Sequence, residues 1–305
     1  MLRWLKRLVA PPQPAPIKQV PVAAKSPEVP SSVERESVPS SSDLHVSTLS
    51  WLLHVPPPLP LALQSRERRP WAVIHEASRQ PRLPPNLVPR AAAVIPALLQ
   101  QLRQTDVSVQ DMVVRIQRDT VLTTEVLRLA RSPRYASAQS VQSLETAIAV
   151  IGTAGLQAAI AKVILKPLFS AHSGGLAAQA GERLWMHAEH QAQHASTLTE
   201  AAGLDRFDGF LVGLLHGAGR TGVLRLLDMQ HVAPEWPCSQ AFDHAFQQAS
   251  HQLFDRLLQE WAISPSLTAL GQAIASQPSA AEPGTLAGIA LESERLATAA
   301  LLSTH

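Results

Sequence analysis

Sixteen of the 25 prolines in this 305-residue chain stand before residue 86, and no other feature limits its fold so sharply. Each proline fixes φ and removes a backbone donor, so a segment this dense in them makes neither long helices nor central strands. Residues 10–42 add Ser, Val, Lys and Glu without helical or alternating periodicity, which leaves too little apolar surface to offset the entropy of ordering them. Residues 1–82 are therefore expected to form a disordered Pro/Ser-rich arm, with a short helix within 43–53 and an extended spacer at Pro56-Pro57-Pro58. At its tip, Leu2, Trp4, Leu5, Leu8 and Val9 share one helical face and Arg3, Lys6 and Arg7 the other. That is the pattern of a small interfacial helix, so residues 1–9 are expected to make at most a weak membrane contact or to dock on a partner.

From Leu87 the pattern changes to apolar residues at helical spacing, Leu87, Ala91, Val94, Ile95, Leu98, Leu99 and Leu102. Apolar residues make up 46% of the chain and aromatic ones only 4%, which favours Leu/Ala/Val helix packing over a β-sandwich. The reading is an all-α fold, a compact multi-helix bundle over 83–303. Ser108 with Asp111 resembles a capping box, and Ser143 caps a helix that Gly152 stops. A long helix runs from Leu176 to Ala202 and is closed by Gly203. Helices follow over 207–216, 221–227, 240–261, 266–276 and 285–302, with a glycine-rich turn expected after His216.

The net charge of +2 predicts no nucleic-acid partner despite a pI near 9.0. The lone Cys238 excludes an internal disulfide and a multi-cysteine zinc site, and fits a reducing, cytoplasmic setting. No run is read as approaching the roughly 20 apolar residues needed to span a bilayer, so the chain is expected to be soluble.

The chemistry-bearing stretch is Phe207-Asp-Gly-Phe-Leu-Val-Gly-Leu-Leu-His-Gly-Ala-Gly-Arg220, an apolar helix that delivers His216. His187, His190 and His194 stand at i, i+3 and i+7, a spacing at which imidazoles can share zinc. A solvated stripe with Glu189, Gln191 and Gln193 explains the same spacing. Arg128, Arg131 and Arg134 cluster at a helix end and could meet phosphates or an acidic partner, although favourable charge against the helix dipole accounts for them.

Taken in order, these segments resemble the HDOD family, relatives of the HD phosphohydrolases, from about Leu83 to Ala299. Leu87-Val-Pro89, Asp119 to Ser132, Tyr135, Ser143-Leu144, Ala147 to Gly152, Leu184-Trp-Met-His187 and Gly213-Leu-Leu-His-Gly-Ala-Gly219 are each similar to a family segment. Catalytic HD enzymes on such a scaffold hold a divalent metal with a first histidine, a His-Asp pair and a distant aspartate. The resemblance places His187 at the first, His216-Gly217 at the pair and Glu294 near the last, so the pair has lost its carboxylate. His251 resembles a family histidine and is expected to make a structural hydrogen bond.

The resemblance thus implies a non-catalytic module of bacterial signal transduction, with no cofactor, that binds a protein partner or a nucleotide messenger. A residual metal-dependent phosphohydrolase acting on a nucleotide is the second reading. Nucleic-acid binding through the arginines is a third.

Overall fold

The computed structural model describes residues 48–84, 87, 95–103, 116–132, 141, 143–170 and 174–303. The expected helix at 1–9, Val88-Pro89, the Ser108–Asp111 box, Arg134 and Tyr135 lie outside them. Among the described residues the only β pairing is an isolated bridge between Leu59 and Ser239, and the rest is helix and connection. The described residues form ten α-helices, α1 (Thr48–Leu53), α2 (Arg68–Arg79), α3 (Ile95–Arg103), α4 (Thr120–Ala130) and α5 (Leu144–Leu165), then α6 (Leu176–Ala201), α7 (Arg206–Met229), α8 (Gln240–Trp261), α9 (Pro265–Ser276) and α10 (Leu286–Leu302).

Most helices start where a short polar side chain satisfies an orphan backbone donor. Ser143 accepts from Thr146, Asp205 from Phe207 and Asp208, Ser239 from Phe242, and Ser264 from Leu267 ahead of Pro265. Gly203 stops α6 at φ 69°, and Gly152 breaks α5 at φ 64°, conformations that L side chains resist.

The centre is an antiparallel pair, α6 and α7, whose backbones meet through glycine. A Cβ on Gly209 would strike Thr199 Oγ1 at 2.2 Å and one on Gly213 would strike Ala192 Cα at 2.3 Å. At the far end Asp228 of α7 accepts from the Leu176 and Ala177 amides and so caps α6. On its other flank α7 meets α8 as closely, since a Cβ on Gly219 would lie 2.1 Å from Ser250 O. These approaches overturn the expected turn after His216. Gly217, Ala218 and Gly219 continue the helix: Gly219 lets α8 approach the α7 backbone, and Gly217 faces the Phe169 ring, so these glycines serve packing and do not end the helix.

The folded body also begins earlier than Leu83. Leu49, Leu52 and Leu53 of α1 are buried, and α6 binds its last turn through Gln179 and Arg183, which donate to Leu53 O and Leu52 O. Ile74 and Ala77 of α2 are buried, and Arg256 of α8 donates to Ala77 O. Between them Glu67, fully buried, accepts from the Gln64 amide and from both the amide and hydroxyl of Ser239. The arm expected over 1–82 is therefore replaced by packed structure from Thr48 onward.

By length and composition alone, Leu144–Leu168 is apolar enough to cross a membrane, which corrects the expectation that no run comes close. Here it is a kinked core segment that carries a buried lysine, Lys162.

Candidate functional site

A buried polar cluster forms where α6, α7, α8 and α10 converge. His216 on α7 is 3% exposed, its ring stacked 5.7 Å from that of His251 on α8 and edge-on to Phe254 at 5.0 Å. Glu294 of α10 brings Oε2 to 3.6 Å from His216 Nδ1. The ligand atoms of His216, His251 and Glu294 all lie within 4.8 Å of one another, a spacing a metal ion could bridge.

Three further side chains determine what this group can do: Phe169 and Arg220 were given no role from sequence, and Gln191, expected in a solvated stripe, is instead fully buried. Gln191 donates through Nε2 to His216 Nδ1 at 2.9 Å and to Ala290 O at 3.0 Å. Ala290 O can only accept, so the amide orientation is fixed and Nδ1 of His216 is an acceptor. The buried Oε1 of Gln191 has no hydrogen-bond partner among the described residues. Arg220, one turn after His216 and 5% exposed, donates from Nη2 to Glu294 Oε1. Phe169, 2% exposed, lies against Gly217, where a Cβ would stand 3.2 Å from its ring.

Burial pushes these imidazoles well towards the neutral form, with the Arg220 charge adding to it: His187 down to about 3, His251 to about 4, and His216 well below its ordinary value. Arg220 itself is lowered to about 10 by burial, against the pull of Asp243. The residues do not fit a water-activating metal. The one carboxylate in the group already holds a guanidinium, so it is not free to neutralise a metal ion.

His187 lies apart from this group. Its Nε2 is 2.9 Å from Thr298 Oγ1 of α10 and its ring 6.2 Å from that of Trp51 of α1, so it ties three helices together. His190 and His194 are only half-buried, and the α6 position facing His216 is taken by Gln191; the three histidines do not form a site together. Arg128 is committed to a charge network in which it and the buried Lys162 share Glu125 and Glu189, with Arg128 Nη2 2.6 Å and Lys162 Nζ 2.8 Å from Glu189. Arg131 donates to Val141 O at 3.3 Å. A cavity of about 230 Å³ lies beside that network, lined by Ala158, Lys162, Ser196, Arg206, Phe207 and Phe210.

The HDOD domain model matches residues 88–276. The chain belongs to the HDOD family. The match ends at Ser276, before α10, so Glu294 lies outside the part that the family model covers. An HDOD domain protein of unknown function from Geobacter sulfurreducens is 21% identical, with a TM-score of 0.52 over 75% of this chain and 78% of that one. A protein described as a metal-dependent phosphohydrolase from Shewanella amazonensis SB2B gives a TM-score of 0.56 at 15% identity, over 75% and 82% of the two chains. A signal transduction protein from Marinobacter aquaeolei VT8 gives 0.46 at 19%, over 77% and 56%. At these identities the likeness is one of fold. No curated protein matches the sequence.

Proposed function

We propose that this HDOD chain is a non-catalytic signalling domain that acts by binding a protein partner. One observation carries the reading. A metal-holding His-Asp pair needs a carboxylate directly after His216, and that position is a glycine whose missing side chain leaves its place to the Phe169 ring.

The described cavity beside the Lys162 network, about 230 Å³, is smaller than the roughly 300–1,000 Å³ of sites that enclose drug-sized ligands, which is consistent with a partner that binds on the surface. The test is turnover of a generic phosphodiester, bis-p-nitrophenyl phosphate, with manganese or zinc added. We expect the wild-type chain to match His216→Ala. Turnover that His216→Ala abolishes would overturn the proposal.

The alternative, a residual metal-dependent phosphohydrolase, draws on the His216–His251–Glu294 grouping and on the description of the Shewanella protein. One equivalent of metal retained through purification, together with that turnover, would favour it.

A further inference from the structure

Two imidazoles and a carboxylate within 4.8 Å are a donor set that suits zinc, yet the same pocket contains a buried arginine. The guanidinium bonds to one oxygen of Glu294, while the other faces His216 at 3.6 Å. It comes from the turn of α7 directly after His216, so donor and cation stand on one uninterrupted helix. A metal ion and a guanidinium are both positive, and at such separations in a poorly solvated pocket they repel strongly. Only one of them can neutralise Glu294.

We infer that Arg220 is the resident cation of this pocket: its guanidinium takes the charge-balancing role of a metal ion at Glu294 and closes a latent zinc site formed by His216, His251 and Glu294. The bond joins α7 to α10, so the cluster is charge-balanced by the chain itself and folding needs no metal. His216 and His251 remain neutral, as ligands must be, but their carboxylate neighbour is occupied, and the Gln191 amide must turn away from Nδ1 of His216 before that nitrogen can ligate. The inference deepens the reading of this pocket as one without a working metal and rests on it.

The test is zinc binding to the full chain by equilibrium dialysis after chelator treatment, for the wild type, Arg220→Gln, and Arg220→Gln combined with His251→Ala. We expect no stoichiometric zinc on the wild type, one equivalent on Arg220→Gln with affinity raised at least about 100-fold, and loss of that gain in the double variant. If Arg220→Gln does not fold alone, zinc should restore its helical circular dichroism, since metal binding and folding are then linked. Absence of rescue would overturn the inference. So would a folded Arg220→Gln that gains no zinc, or a gain that survives His251→Ala. Tight zinc on the wild type would sink this inference, and only with phosphodiester turnover that His216→Ala abolishes would it sink the non-catalytic reading as well. Failure of the variant to gain zinc sinks the inference alone.

Discussion

Position 217 is decided by a few tenths of an ångström. A methyl there would sit 3.2 Å from Phe169, close enough that the ring must give slightly, whereas an aspartate would push a carboxylate into the same apolar wall. Gly217→Asp should therefore lower stability by about 2–4 kcal/mol, more than Gly217→Ala, and recruit no metal. Equal urea midpoints for the two variants would contradict this account. The neighbouring imidazoles set a pH dependence. Their folded pKa values lie below the ordinary 6.5, so above that pH both folded and unfolded states are neutral and nothing is lost. As pH falls from 6.5 towards 4 the unfolded chain takes up protons that the folded chain refuses. Each imidazole then removes up to about 1.4 kcal/mol per pH unit. Glu67 and Glu189, whose pKa values are lowered, add a loss in the same direction once the pH reaches the carboxylate range. Urea midpoints should fall between pH 7 and 5, and more shallowly for His187→Gln. A flat profile would refute the burial of neutral histidines.

Glycines inside helices give the sharpest contrast between local preference and packing. Propensity alone says that Gly219→Ala should stabilise α7 by about 1 kcal/mol. The structure places its new methyl 2.1 Å from Ser250 O, so we expect a loss of about 3 kcal/mol or more, read as a lower thermal midpoint. A gain would mean that α7 and α8 do not meet there. The same contrast explains what the sequence could show. Ser143, Gly152 and Gly203 were legible as a cap and two stops because the physics is local to a few residues. Gly217 and Gly219 read as a turn because only the neighbouring helices, far away in sequence, reveal that they fill a seam. Helix α2 was hidden by proline density, although its Pro70 sits in the first turn, where a missing amide hydrogen costs little. In the pocket, motif order located His216 and the loss at Gly217. Arg220 and Glu294 could not be paired from spacing, since 74 residues separate them.

For the whole molecule, the consequence is where the folded body starts. The buried contacts of Leu52, Leu53, Glu67 and Ile74 make residues 48–82 part of the bundle. A chain beginning at Thr48 should keep the thermal midpoint of the full chain, whereas one beginning at Leu83 should lose several kcal/mol and become sensitive to protease. Equal midpoints for all three would return those residues to the status of an arm. The glycine seam between α6 and α7 bears on time as well as on energy. Where backbones meet with no side chain between them, no rotamer change can loosen the contact, so the two helices must part all at once or not at all. Backbone amides of 188–199 and 209–222 should therefore exchange with deuterium only through global unfolding, the slowest clock in the protein, while the helix ends open many times in between.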